Sequence, residues 1–213
     1  MSTKVASLSL KEEFANSLSH GFGLLFGIIS LPIPIALAAQ SGNIPALVGV
    51  SIFGFSFLMV FAFSTLYHAV SHPRIKKALQ VMDHISIYFL IAGSYTPFLL
   101  VYMFNATGIT VLSVLWAAVL VGIVFKVFAT GKWNLVSTAM YLLMGWSVLF
   151  VPQEFFGSLS FACLTLVALG GVSYTLGVVF YLWEKLPYNH AIWHIFVLGG
   201  AICHYVAVLL AVS

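Results

Sequence analysis

Two histidines stand four residues apart in the sequence YNHAIWH, at the start of the last apolar run of the chain. One helical turn separates His190 from His194, so both imidazoles lie on the same face of a helix. Imidazole nitrogen is a preferred ligand of zinc, and two histidines at this spacing can reach one ion. Because this spacing also arises by chance, its meaning depends on which other polar residues the fold brings to the same level.

The chain around these histidines is too apolar for a water-soluble protein. Of its 213 residues, 62% are hydrophobic and only 6% are charged, and the mean hydropathy is +1.11. Soluble domains carry roughly 25% charged residues, so we predict an all-α integral membrane protein with a single domain over residues 1–213. The eight basic residues are dispersed, which excludes the basic stripe of a nucleic-acid-binding protein. Cys163 and Cys203 lie within apolar runs, which indicates buried free thiols rather than a disulfide framework.

Apolar runs separated by short polar breaks predict seven membrane spans. A helix needs roughly 20 apolar residues to cross a bilayer core of about 30 Å. The approximate bounds of the runs are 18–40, 46–70, 81–104, 108–130, 134–152, 158–182 and 189–212. Pro32 and Pro34 should kink the first span, which neighbouring helices in a membrane tolerate.

The basic residues orient these seven predicted spans. With seven spans, all eight fall on one side of the membrane and none on the other; they are Lys4, Lys11, Arg74, Lys76, Lys77, Lys126, Lys132 and Lys185. The positive-inside rule assigns this side to the cytoplasm. We therefore expect the N-terminus inside and the C-terminus outside.

This orientation brings ionisable residues from several spans to the cytoplasmic layer of the membrane. His68, with Ser64 one turn deeper, lies near the inner end of span two, and Asp83 lies near the inner end of span three. Ionisable side chains inside a membrane are costly and face the bundle interior or a cavity, so each is a candidate functional residue. Together with His190 and His194, His68 gives three imidazoles and leaves a fourth tetrahedral position open, as in catalytic zinc sites. The alternative is that each residue only forms a hydrogen bond to a neighbouring helix.

The polar residues at the start of the first span have two interpretations. Glu13, Asn16 and His20 either cap and pack this helix or support the metal-binding histidines from behind. Ser64 has a local alternative as well, because its hydroxyl can bond back to the carbonyl group four residues earlier.

The remaining histidines are expected to lie outside the site. His72 repeats the four-residue spacing from His68, but Pro73 follows it, so we expect His72 in a loop. His84 and His204 are expected to form hydrogen bonds between helices. His204 lies roughly 15 Å deeper than His194, at about 1.5 Å per residue, which is too far to share an ion.

The chain resembles the hemolysin III family, the bacterial branch of the progestin and adiponectin receptor (PAQR) group, whose superfamily includes the alkaline ceramidases. The similar motifs are EEFANSLSHGFG at 12–23, STLYH at 64–68, Asp83 followed by GSYTP at 93–97, and NHAIWH at 189–194. The resemblance covers nearly the whole chain. It implies a seven-transmembrane helix bundle of the bacterial plasma (inner) membrane, with the N-terminus in the cytoplasm. It also implies zinc held by His68, His190 and His194 near the cytoplasmic face, with Asp83 contacting it through water.

Three functions fit these residues. The first is a zinc-dependent hydrolase that cleaves an amide or ester of a membrane lipid and contributes to membrane-lipid homeostasis, with Asp83 as general base and Ser64 supporting the oxyanion. The second is a non-catalytic membrane sensor or scaffold with structural zinc. The third is a proton or ion pathway, for which the sequence offers few polar residues toward the outer face. Pore formation does not fit polar groups gathered at one end. The expected partner is a membrane lipid, no nucleic acid is expected, and the sequence does not identify a protein partner.

Overall fold

The computed structural model describes residues 9–213, and within them every regular element is a helix. The α-helices are α1 Leu10–Ser30, α2 Pro32–Gln40, α3 Ile44–Ala69, α4 Pro73–Tyr102, α5 Ala106–Ala129, α6 Asn134–Gly145, α7 Gln153–Ser158, α8 Phe161–Leu182 and α9 Asn189–Val212, and a 3-10 helix at Trp146–Phe150 follows α6. Lys4, one of the residues used to orient the chain, lies outside the described residues.

Among residues 9–213, six helical segments are long and apolar enough to cross a membrane, and the chain is therefore a multi-pass membrane protein. They are Leu10–Gln40, Ile44–Ala69, Pro73–Tyr102, Ala106–Ala129, Phe161–Leu182 and Asn189–Val212. The run predicted at 134–152 forms a shorter apolar segment, Asn134–Phe150. It is shorter because α6 ends at Gly145, continues only as a 3-10 helix, and is followed by Pro152.

The first candidate span begins earlier than the sequence predicted and is interrupted at Leu31. It begins at Leu10 because Ser9 and Glu12 form a capping box, in which the Ser9 hydroxyl accepts from the Glu12 amide and the Glu12 carboxylate accepts from the Ser9 amide. Pro32 then opens α2, since a proline fits the first turn of a helix but interrupts its interior. Residues 10–17 are therefore helical, and they carry Glu13 toward the bundle.

Helices α3 and α4 approach each other closely where one of them carries a glycine. A Cβ atom on Gly49 would lie 2.7 Å from the Cα atom of Pro97, and one on Gly93 would lie 2.5 Å from the Ser56 hydroxyl. Small residues allow this approach in membranes, where dispersion contacts between helices replace the hydrophobic effect. The close contact fixes the height of α4 relative to α3, and hence of the polar residues that they carry.

Helix α9 packs against both α1 and α8. The Tyr205 hydroxyl donates to the Ser30 carbonyl oxygen at 3.0 Å, and its ring meets Phe26 edge-to-face with centroids 5.2 Å apart. On the other side, Gly200 lies under the ring of Tyr174 of α8. Helix α9 is therefore held between α1 on one side and α8 on the other.

We expect Gly49→Ala to lower the stability of the protein by roughly 1–3 kcal/mol, the usual cost of inserting an atom into a well-packed contact. The added Cβ atom would meet backbone atoms of Pro97, which cannot rotate away. Thermal unfolding in detergent, followed by size-exclusion chromatography, measures the effect. The matched control is Gly171→Ala, whose Cβ atom would have no neighbour within 4 Å; if the two variants unfold at the same temperature, the close approach of α3 to α4 at Gly49 is wrong.

Candidate metal centre

The last turn of α3 and the first turns of α9 place three histidines side by side. The ring centroids of His190 and His194 lie 4.6 Å apart, and His68 lies 5.2 Å from His190 and 5.1 Å from His194. One ring nitrogen of each lies within 4.8 Å of the others. Within residues 9–213, no other group of three or more histidine, cysteine, aspartate or glutamate side chains gathers in this way. The three histidines therefore form a candidate metal site.

Hydrogen bonds determine which nitrogen two of these rings can offer to an ion. The Nδ1 atom of His68 lies 2.7 Å from Oε2 of Glu13, and the Nδ1 atom of His194 lies 3.1 Å from the backbone oxygen of Asn16. A carboxylate and a carbonyl oxygen only accept, so the proton of each neutral ring is on Nδ1, and Nε2 keeps its lone pair. The Nε2 atom of His68 is buried and has no hydrogen-bond partner. An unpartnered, buried nitrogen facing two further imidazoles fits the donor set of a bound metal ion.

The first turns of helix α1 support this cluster. Glu13, which accepts from His68, also accepts from Lys76 at 3.0 Å. The sequence placed Lys76 in a connection, whereas α4 begins at Pro73 and carries Lys76 in its first turn. The Lys76 ammonium also donates to the Tyr67 carbonyl oxygen at 2.8 Å. One carboxylate thus joins α1, α3 and α4 beside the histidines.

His20 contacts the cluster by stacking. Its ring lies parallel to that of His194, with centroids 3.6 Å apart and an interplanar angle of 13°, and it meets Phe61 edge-on. Neither nitrogen of His20 has a hydrogen-bond partner. Of the two interpretations of Glu13, Asn16 and His20, the geometry therefore favours support of the histidines, since all three contact one of them.

Ser64 and Asp83 line a cavity that borders the histidine cluster. The cavity has a volume of about 130 Å³, and His190 and His194 form part of the same wall. The buried Ser64 hydroxyl forms no hydrogen bond to the preceding turn, so the local alternative for this residue is wrong, and it lies beside Asp83. The Asp83 carboxylate is buried but does not belong to the group within 4.8 Å. Both side chains therefore face space large enough for several water molecules.

The other three histidines lie apart from the cluster. His72 is exposed and immediately precedes α4, as expected for a residue in a connection. The Nε2 atom of His204 lies 3.3 Å from the backbone oxygen of Val167 on α8, which is a hydrogen bond between helices. His84 borders the cavity, and its Nδ1 atom lies 3.5 Å from the ammonium group of Lys126.

Sequence reasoning missed Lys126 and Ser19 as residues near the site. Lys126 was counted among the charges that orient the chain, yet it is only 2% exposed and borders the cavity. The available signal was its position inside the apolar run 108–130 rather than beyond it. The Ser19 hydroxyl lies 3.2 Å from Nδ1 of His194, and no local pattern in the sequence distinguishes it from an ordinary helix-surface serine.

Comparison with known proteins gives the same family over nearly the whole chain. The family model described as "Haemolysin-III related" matches residues 8–205. The chain is 44% identical over 201 residues to the "Hemolysin-3 homolog" of Bacillus subtilis (strain 168), covering 94% of each chain, and 40% identical over 200 residues to "Hemolysin-3" of Bacillus cereus, covering 94% of this chain and 91% of the relative. It is also 30% identical over 203 residues to "Monocyte to macrophage differentiation factor" of Homo sapiens, covering 92% of this chain and 83% of that protein.

We expect Glu13→Gln to weaken metal binding by about 10–100-fold, the usual effect of removing the carboxylate that orients a ligand histidine. The amide still fills the space, but it is a poorer acceptor for the Nδ1 proton of His68. Competition between the purified protein and a zinc chelator of known affinity measures the change.

Glu12→Gln is the matched control, because Glu12 lies one residue earlier and its carboxylate bonds to Ser9 rather than to a histidine. If both variants bind zinc as tightly as the original protein, Glu13 does not position His68 for a metal.

Proposed function

The chain belongs to the haemolysin-III related family, and on this premise we propose that it is a zinc-dependent hydrolase of a membrane-lipid amide or ester that contributes to lipid homeostasis. The observation that carries the proposal is the Nε2 atom of His68, which is buried and unpartnered beside two other imidazoles. Three nitrogen ligands with an open fourth position are typical of catalytic zinc. A lipid is the substrate class because the adjacent cavity lies inside a membrane bundle.

The proposal includes a topology of seven spans in one domain, located in the bacterial plasma membrane. Asn134–Phe150, fifth in chain order, brings the count to seven: its α-helical and 3-10 parts together rise roughly 28 Å, close to the bilayer core of about 30 Å. The N-terminus is then cytoplasmic and the C-terminus outside, as the basic residues require. The histidine cluster would lie in the inner leaflet, at the level of the lipid headgroups.

The proposed chemistry divides between the metal and two cavity residues. When bound, zinc supplies Lewis acidity that polarises a carbonyl group and makes water a better proton donor. Asp83, a buried carboxylate on the cavity wall, acts as the general base that accepts the proton of the attacking water. Ser64, whose buried hydroxyl lies beside Asp83, donates to the carbonyl oxygen as negative charge develops there.

A non-catalytic sensor or scaffold is the second candidate. It is favoured by the connections of the cluster, because Glu13 and Asn16 tie the histidines of α3 and α9 to α1. A metal at this junction would stabilise the packing of three helices without any turnover. The two candidates share the metal site and differ in the role of Asp83.

We expect the purified protein to contain about one zinc ion per chain, and the double variant His190→Ala/His194→Ala to contain none. Elemental analysis of protein purified without chelators measures this, with His72→Ala as the control because His72 is exposed and outside the cluster. A metal-free original protein, with the double variant equally well folded, would contradict the zinc site and favour a polar packing role for YNHAIWH.

We expect Asp83→Asn to lower lipid hydrolysis by at least about 100-fold, the low end of the contribution of a general base, while zinc content stays unchanged. Release of fatty acid from a total bacterial lipid extract, followed by mass spectrometry, measures the rate. Activity that survives the substitution would show that Asp83 is not the base. A zinc-loaded original protein that releases nothing from the extract would instead favour the scaffold.

A further inference from the structure

A buried ammonium group borders the cavity away from the three histidines. Lys126 on α5 donates to the Ser137 hydroxyl on α6 at 2.7 Å, and its Nζ atom lies 3.5 Å from Nδ1 of His84 on α4. The ring of Tyr141 lies 5.7 Å from the same atom. Nowhere in residues 9–213 does a carboxylate oxygen lie within 4.0 Å of this ammonium. Lys126 is therefore a buried cation whose direct contacts are all with neutral groups.

Such a cation is costly unless an anion compensates it. A buried charge without a close partner loses its hydration and gains little in return, so buried charges in membranes are paired or functional. The ammonium has three N–H groups, and its one short hydrogen bond is to Ser137. The only acid on the cavity wall within the described residues is Asp83, which attracts the ammonium through space but makes no direct contact with it. The remaining donors of Lys126 are available for a ligand.

The wall of α4 next to Lys126 changes from polar to apolar along one face. His84 is followed on this face by Ile87, Ile91 and Tyr95, which all border the cavity at spacings of three or four residues. From His84 to Tyr95 the wall runs about 16 Å at 1.5 Å per residue. A charged head at Lys126 with an apolar tail along these side chains matches the shape of a lipid.

We propose that Lys126, flanked by Ser137 and His84, binds the phosphate group of a phosphate-bearing lipid, whose acyl chain lies along the apolar wall of α4. Lysine binds phosphate as a point charge, and Lys126 supplies that charge here. Ser137, whose hydroxyl donates to the Trp133 carbonyl oxygen at 3.3 Å, and His84 lie beside the ammonium on the two neighbouring helices. The inference deepens the proposed function, because it takes the lipid to occupy the cavity, and it restricts the substrate class to lipids with a phosphate. A free phosphate ion shares this chemistry, so the test separates the two sources.

The test measures binding and requires no turnover. The protein is purified in a maltoside detergent, which carries no phosphate, and the probes are hexadecyl phosphate, hexadecanol and inorganic phosphate. Lys126→Gln removes the charge, Lys126→Arg retains it, and Lys132→Gln removes an exposed charge from the connection after the same helix. Zinc content and elution volume of each variant report on its fold.

We expect the original protein to bind hexadecyl phosphate at least about tenfold more tightly than hexadecanol, the low end of the contribution of a charged hydrogen bond. Lys126→Gln should abolish this preference, while Lys126→Arg and Lys132→Gln retain it. Equal binding of the two amphiphiles by the original protein overturns the inference without recourse to any variant. Displacement of hexadecyl phosphate by an equal concentration of inorganic phosphate overturns the assignment to a lipid. If the protein prefers hexadecyl phosphate to hexadecanol but hydrolyses no lipid, the phosphate-binding site is supported. The proposed hydrolase activity alone is then contradicted.

Discussion

The contact between Glu13 and His68 is the interaction on which the geometry of the histidine cluster depends. A charge-assisted hydrogen bond in a low-dielectric environment is stronger than one in water, and it leaves the buried ring a single orientation. Because Lys76 binds the other oxygen of the same carboxylate, α4 is tied to this point as well. Without the Glu13 carboxylate, the Nδ1 proton of His68 and the ammonium group of Lys76 would each lose their charged acceptor at the junction of these helices.

The membrane environment explains how structural and functional polar residues can be told apart in this protein. Most buried hydroxyl groups on the inner helices satisfy themselves within one turn, as Ser94 does with the Leu90 carbonyl at 2.7 Å and Thr96 with that of Ala92 at 2.8 Å. Ser64 and the Nε2 atom of His68 do not. An unsatisfied polar group is expensive in an apolar interior, so these two, at the cavity and at the histidine cluster, are where a ligand would complete the structure.

The sequence predicted the parts of the structure that depend on local spacing. The four-residue separation of His190 and His194 is a property of one helix, and the long apolar runs predict helices whatever their neighbours are. The partner of His68 could not be predicted in the same way, because Glu13 lies 55 residues away and reaches it only through the packing of α1 on α3. The burial of Lys126 likewise depends on the position of α6, whose Ser137 accepts from the ammonium group. The pattern of residues in α5 alone could not predict that position.

The short segment Asn134–Phe150 changes from an α-helix to a 3-10 helix beside the cavity. Where α6 ends, its last backbone groups would be left unpaired in an apolar environment, which membranes do not tolerate unless other protein groups satisfy them. Tyr95 does so twice: its hydroxyl donates to the Gly145 carbonyl oxygen at 2.5 Å and accepts from the Val148 amide at 2.9 Å. The Trp146 indole then reaches Thr175 of α8 at 3.1 Å. The residues that satisfy the backbone at this interruption also border the cavity: Tyr95, Gly145, Trp146 and Thr175. The same side chains therefore stabilise the irregular helix and shape the apolar end of the space beside the histidines.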